Sequence, residues 1–263
     1  MNRHEQLAFL IHQLQQEMPE YAVYDIPDDD GQAFQLYRAL CNVRQPGKHV
    51  PSPQFLAAEA AVLQGLTREK GITDGRYLPA IPSHEHLHLW QGDITTLAVD
   101  AIVNAANDQL LGCFRPLHSC IDNMIHTMAG VQLREECYAL MQKQGHAEAT
   151  GQAKITKAYN LPCRYVLHTV GPIVSGALTD TAVAQLASCY RSCLDTAAAH
   201  GCQSVAFCCI STGVFGFPKK EAAQTAVATV EKWLTQHEPL EVIFNVFTNE
   251  DLEIYRDVIS RAN

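Results

Sequence analysis

As far as Lys70, apolar residues recur at helical spacing. From Arg3 to Met18, the side chains of Leu7, Leu10, Ile11, Leu14 and Met18 share one face, and Pro19 closes the segment, so this stretch reads as an amphipathic helix. Ile26 to Gly31 holds Pro27 and consecutive aspartates, a turn or a helix start. Ala33 to Val43 reads as a second helix, and Phe55, Val62, Leu63 and Leu66 mark a third. The Gly- and Pro-containing stretch from Gly71 to Ser83 ends this all-helical region.

Beyond it the pattern alternates. Leu87 to Gln91 reads as a strand, and Val99 to Val103, an apolar run broken only by Asp100, as a buried parallel strand. Asp108 to Ser119 has no periodicity and reads as a surface loop, after which Ile121, Ile125, Met128 and Ala129 resume helical spacing with Asp122 in the first turn. Strands follow at Ala153 to Ala158 and Tyr165 to Val170, then a helix from Thr181 to His200 with Val183, Leu186, Ala187, Tyr190, Leu194 and Ala197 on one face. Ser204 to Ile210 reads as a strand, Ser211 to Pro218 as a Gly-rich turn, Lys220 to Gln236 as a helix, Val242 to Phe247 as a strand and Glu250 to Ile259 as a helix. Strands separated by amphipathic helices predict an α/β fold with a mostly parallel sheet covered on both faces and ligands bound at the strand carboxyl ends. The expected organisation is an N-terminal helical extension over residues 1–75 and an α/β domain over residues 84–263. The extension reads either as a packing layer or as an element of partner or substrate choice.

At 263 residues and 47% hydrophobic the chain can build a full core. No apolar run approaches the roughly eighteen residues a bilayer span needs, and the amphipathic N-terminus has neither a basic leader nor a cleavage site, so a cytoplasmic protein without membrane partners is expected. The ten cysteines, with Cys208 and Cys209 inside a predicted strand, are expected to be reduced, mostly as core thiols. A net charge of −9 argues against a groove for a nucleic-acid backbone, so phosphate would have to be bound by backbone amides.

The turn STGVFGFP offers such amides, because Gly213 and Gly216 permit close approach and Pro218 can start a helix; a plain strand-to-helix turn would look the same. Asn104 and Asn107 could cap the following loop or hold sugar hydroxyls, and Asp93 could serve a turn or accept from a base amino group. In the loop, Cys113, His118 and Cys120 form a CxxxxHxC cluster, in which soft thiolates and an imidazole could converge on a tetrahedral zinc; in a cysteine-rich chain they could equally be unconnected. Asp122 follows closely enough to act beside them as a general base. His168 reads as a core or surface residue, and His126, one turn after Asp122, could reach the site or pack beneath it, with packing slightly favoured.

Taken together, GDIT from Gly92, VDAIVNAAN from Val99, CIDNMIHTMAG from Cys120, ISTGVFGFP from Ile210 and VIFNVF from Val242 resemble the macrodomain family, specifically its ADP-ribosyl hydrolases. The resemblance runs from about Leu87 to the C-terminus and implies a three-layer α/β/α sandwich that binds ADP-ribose. It implies that Asp93 and the Ile94 backbone hold the adenine, that Phe247 stacks on it, and that the amides of Ser211, Thr212, Gly213, Val214, Phe215, Gly216 and Phe217 wrap the diphosphate. Asn104 and Asn107 would face the distal ribose, Phe215 would lie against it, and Asp122 would be the catalytic aspartate, with Asn107 and Phe215 acting beside it. Most macrodomain hydrolases have a run of glycines where this chain has GCFRPLHSC; here the chain is similar to the zinc-containing subgroup, which also carries an N-terminal helical extension. That likeness makes Cys113, His118 and Cys120 the expected zinc ligands. The implied activity is zinc-dependent removal of mono-ADP-ribose, ester-linked to Asp or Glu, from modified proteins, by a monomer. A non-catalytic ADP-ribose-binding module and an O-acetyl-ADP-ribose deacetylase are the competing readings. A nucleotide dehydrogenase is disfavoured because no GxGxxG is present.

Overall fold

The computed structural model describes residues 1–82 and 84–261. Ser83, in the expected linker, and Ala262 and Asn263, at the end of the expected α/β domain, lie outside the described residues.

The N-terminal helices are α1 (Arg3–Glu17), α2 (Asp30–Val43) and α3 (Pro53–Lys70). Local chemistry sets their ends. Asn2 and Glu5 form a reciprocal capping box on α1, Asp29 accepts from the Gln32 amide at the start of α2, and Ser52 caps α3 with Pro53 in its first turn. Leu7, Leu10, Ile11 and Leu14 are fully buried, as the spacing predicts, and they join the same hydrophobic cluster as the sheet.

The remaining elements are strands β1 (Thr73–Asp74), β2 (Ala80–Ile81), β3 (His84–Gln91), β4 (Leu97–Ala98) and β5 (Ala101–Ala106), helices α4 (Ile121–Ala129) and α5 (Val131–Gln144), strands β6 (Ala153–Lys157) and β7 (Tyr165–Val170), helix α6 (Asp180–Ala199), strand β8 (Ser204–Phe207), helix α7 (Lys219–Leu234), strand β9 (Glu241–Val246) and helix α8 (Asn249–Arg261). β1 and β4 form a short parallel pair. The main sheet has the order β2-β3-β9-β8-β5-β7-β6, parallel except where β2 and β6 run antiparallel to β3 and β7 at its edges. Helices α6, α7 and α8 pack side by side as one layer, and α4 and α5, joined by α2, form another. The result is the expected α/β/α sandwich with a mostly parallel sheet.

Three local expectations are corrected. The central strand begins at Ala101, not Val99, because the Asp100 backbone carbonyl accepts from the amides of Arg164 and Tyr165 in the turn before β7. β8 ends at Phe207, so Cys208 and Cys209 leave the strand and enter the following turn. Helix α5 follows α4 directly, separated by Gly130 at φ 89°; its weakly segregated apolar pattern hid it from the periodicity. Among the described residues no helix is long and apolar enough to cross a membrane. All ten cysteines are free thiols and most are buried.

Polar groups fasten the helical layer to the sandwich. The buried Arg44 guanidinium pairs with Glu17 at 2.6 Å and with Glu135 at 2.5 Å. Glu59 Oε1, fully buried, accepts from the Tyr37 hydroxyl at 2.6 Å and from the Val131 amide at 3.1 Å, joining α3 to α2 and to the start of α5. Burial pushes the Glu59 carboxyl up from 4.5 to about 7, although both donors work against it. The native state therefore holds this proton where the unfolded chain has lost it, so the contribution to stability is present below 4.5 and falls as pH rises towards 7. Glu59→Gln should remove that slope, worth at most about 3 kcal/mol, from urea-unfolding midpoints measured across the window. Equal slopes in variant and parent would show that Glu59 ionises freely in the folded protein.

Candidate active site

Strands β3, β9, β8 and β5 lie side by side and point the same way, so the segments leaving their carboxyl ends share one rim. Asp93 follows β3, Phe247 follows β9, the turn 211–217 follows β8, and Asn104 and Asn107 lie at the end of β5.

The centre of the rim is a carboxylate. Asp122, in the first turn of α4 and 5% exposed, accepts from Asn104 Nδ2 at 2.8 Å and lies 3.4 Å from Asn107 Nδ2. Burial raises its carboxyl to about 6, against the Asn104 hydrogen bond and the nearby Arg134 charge, which both favour the ionised form. Asn104 is itself fully buried, and its Oδ1 has no partner among the described residues. Asn107 does what a loop cap does: Nδ2 donates to the Gly112 carbonyl at 3.1 Å, and Oδ1 accepts from the Gln109 amide at 3.0 Å. His126 packs under Asp122, with Nε2 3.6 Å from Oδ1. Burial, with Arg134 and His168 close by, drives its pKa well down, so this is a neutral ring against a carboxylate and not an ion pair. His168 is a core residue, with Nε2 3.0 Å from the Thr156 hydroxyl and Nδ1 3.2 Å from Asn104 Nδ2.

Beside Asp122, the loop from β5 to α4 brings Cys113, His118 and Cys120 together. Their ligand atoms all lie within 4.8 Å of one another, and Cys113 Sγ is 3.6 Å from His118 Nδ1. All are only half-buried. Two sulfurs and an imidazole at this separation fit a tetrahedral soft-ligand ion that keeps a fourth position open. A second cluster, His126, Cys137 and His168, is wholly buried; His168 already has neighbours on both ring nitrogens, so this group reads as core.

The turn after β8 is only partly a ring of free amides. Thr212, Gly216 and Phe217 amides donate to the carbonyls of Cys209, Gly213 and Ser211, whereas those of Ser211, Gly213, Val214 and Phe215 have no partner within the described residues. Ser211 takes φ 65°, rare for a non-glycine, and buries a hydroxyl that has no partner among the described residues. The Phe215 carbonyl accepts from the Val174 amide at 2.8 Å, which pins the turn to the segment after β7. The Phe217 side chain is in the core, whereas Val214 is 79% exposed. At the far end of the rim Phe247 is 74% exposed, a bare aromatic face. The Ile94 side chain is buried, and Asp93 Oδ1 is engaged by the Thr95 amide and hydroxyl at 3.0 and 2.6 Å. Asp93 Oδ2 pairs with Lys70 of α3 at 2.9 Å. Burial disfavours the Asp93 charge, but these partners outweigh it and hold the carboxyl below its usual range.

Sequence reading missed the residues that support the loop. Asn123 Nδ2 donates to the Arg115 carbonyl at 3.1 Å, Arg38 and Asn42 reach the loop from α2, and Arg134 of α5 lies 4.4 Å from the Phe114 ring. The one local signal was a set of polar residues on otherwise buried helix faces.

Comparison with known proteins follows the same outline. The profile of the family described as Macro domain matches residues 103–226. A Treponema medium protein named protein-ADP-ribose hydrolase is 51% identical over 263 residues, covering 99% of this chain and 100% of its own. A Staphylococcus aureus (strain MSSA476) protein of the same name is 47% identical over 97% of this chain and 95% of its own. Among solved structures, a Trypanosoma brucei macrodomain in complex with ADP-ribose has a TM-score of 0.65 at 32% identity, over 80% of this chain and 92% of that one. An Oceanobacillus iheyensis macrodomain mutant with ADPR has a TM-score of 0.62 at 35% identity, over 67% of this chain and 92% of that one.

Gly112 shows how tightly the loop is seated. It holds φ 76°, and a Cβ there would meet the His126 ring at 2.8 Å. Gly112→Ala should cost about 2 kcal/mol and lower Tm by roughly 4–8 °C in calorimetry. An unchanged Tm would show that the loop moves freely over His126.

Proposed function

The chain belongs to the Macro domain family, and on that premise we propose that it is a zinc-dependent hydrolase that releases mono-ADP-ribose from carboxylate side chains of modified proteins. Hydrolysis of protein-linked ADP-ribose is supported by full-length relatives that carry that name. The observation that carries the finer reading is that one connection, from β5 to the first turn of α4, presents both the soft-ligand cluster and the buried carboxylate, with Cys120 only two positions before Asp122.

ADP-ribose would lie along the rim. Its adenine would sit by Asp93 and the Ile94 backbone with Phe247 against its face, its diphosphate on the open amides of the turn after β8, and its distal ribose between Phe215 and the Asn104–Asp122 pair. Because the Asp93 carboxylate is shared with Thr95 and Lys70, its contact with the base would be one more acceptor interaction on an oxygen already fixed in place.

Asp122 is suited to orient the attacking water and take its proton. Asn104 anchors one carboxylate oxygen at 2.8 Å, while the other is held only loosely by Asn107 at 3.4 Å and so can turn to a water. Cys113, His118 and Cys120 would hold the zinc, which when bound supplies polarisation of an oxygen ligand or a lowered pKa for a bound water. A half-buried loop, and not a closed cavity, leaves room for the protein to which the ribose is attached.

Time-resolved release of ADP-ribose from a carboxylate-linked, mono-ADP-ribosylated protein tests this. Release should stop on chelation and return with added zinc, and Cys120→Ala should lose both metal and turnover. Asp122→Ala should still bind ADP-ribose but lose about 10²–10⁴-fold in kcat. Turnover by a folded, metal-free Cys120→Ala protein would refute the zinc dependence, and tight ADP-ribose binding with no release by the parent would make the protein a reader.

A further inference from the structure

The loop that carries Cys113, His118 and Cys120 is gripped by the N-terminal helical layer. Arg38 of α2 donates from Nη2 to the His118 carbonyl at 2.6 Å, and from Nε and Nη2 to Asn123 Oδ1 at 3.2 and 2.9 Å. Asn123 in turn donates to the Arg115 carbonyl at 3.1 Å. One turn along α2, Asn42 Oδ1 accepts from the Leu117 amide at 2.9 Å, at a residue held in a left-handed conformation with φ 56°. The last carbonyls of α2 and its cap, those of Cys41, Asn42 and Arg44, all accept from Arg134 Nη1 at 2.6, 3.0 and 3.0 Å, and the same guanidinium covers Phe114. Backbone groups at 115, 117 and 118 are therefore fixed from outside the loop.

Arg38 is only 9% exposed, and among the described residues no carboxylate pairs with it. Burying an unpaired guanidinium is costly, so its place needs a reason. The reason the structure offers is geometric: its fork is spent on the His118 carbonyl and on Asn123 Oδ1.

We propose that Arg38, aided by Asn42, is a positioning residue for the metal site: it holds the His118 end of the loop so that the three ligands face one ion. The helical layer is then a working part of the site. This rests on the zinc reading given above. It separates from that reading because the parent protein tests the metal and the α2 variants test the grip.

The full-length parent, Arg38→Ala and Arg38→Lys would be titrated with zinc against a chromophoric chelator, alongside Tm, ADP-ribose affinity and kcat and KM for the ADP-ribosylated protein. Arg3→Ala, which breaks the remote pair with Glu69 between α1 and α3, controls for loosening of the helical layer. Arg38→Ala should bind zinc about 10–100-fold more weakly and lose kcat in parallel, with KM and ADP-ribose affinity little changed. Arg38→Lys keeps the charge but loses the planar fork, so it should stay close to Arg38→Ala. Arg3→Ala should match the parent. Parent-like zinc affinity in both Arg38 variants would overturn the proposal, and full rescue by Arg38→Lys would overturn the geometric grip. If the parent itself takes up no zinc, the metal reading fails and the proposal falls with it. Should Arg38→Ala not fold, Arg38→Lys and Asn42→Leu carry the same comparison.

Discussion

The 2.8 Å hydrogen bond from Asn104 to Asp122 is the interaction on which the rest of the site depends. Asn104 sits in β5, between β7 and β8, where no solvent reaches it, and Asp122 opens the helix that follows the loop. A polar amide inside a central strand is unfavourable unless paired, and a buried carboxylate more so. Each answers the other's need. The pairing fixes the start of α4 against the carboxyl end of β5, so the loop between them must close over a set distance whatever its own sequence prefers. That closure brings Cys113, His118 and Cys120 to one place beside the carboxylate.

The loop has no regular structure of its own, and its shape is imposed by neighbours with strong local geometry. Gly112 seats against the His126 ring, Asn107 caps the loop at its start, and α2 holds its far end through Arg38 and Asn42. The α2 contacts matter only because α2 is itself anchored. Arg44 bridges Glu17 and Glu135, and Glu59 joins Tyr37 to the amide of Val131. Removing one partner from a buried charged pair typically costs about 3–5 kcal/mol, more than the pair's net contribution to stability. Such contacts therefore serve less to stabilise the chain than to specify one arrangement of the helical layer on the sandwich.

The half of the rim formed by β3, β9 and β8 is built on different physics. Parallel strands β3 and β9 end level, at Gln91 and Val246, and β8 stops two residues earlier with Phe207 opposite Phe244, so the turn after β8, a bare aromatic ring and a pre-bonded carboxylate follow neighbouring strand ends. Only part of the turn after β8 is open to a ligand, since its remaining amides are spent on holding a tight conformation that includes Ser211 at positive φ. The strained part of the turn is what presents the open part.

Periodicity alone determined most of the architecture. Amphipathic spacing marked α1 and α6, and the strand expected at Tyr165 to Val170 matches β7 to the residue, because helices and strands bury their faces at fixed repeats. The motifs at the strand ends also pointed to the ligand class and to Asp122, Asn104 and the CxxxxHxC cluster, since these are short-range patterns. Strand ends at β5 and β8 and the presence of α5 were not legible: carbonyl partners in distant turns and a nearly unsegregated helix decided them. Nor could the sequence show that Lys70 shares Asp93, that Arg38 and Asn42 hold the ligand loop, or that His126 lies directly beneath Asp122. Those pairings join residues far apart in the chain, or depend on which way a buried face turns. Only the tertiary structure decided them, because a buried polar group takes whatever partner the packed fold brings within about 3 Å, and no local pattern encodes that choice.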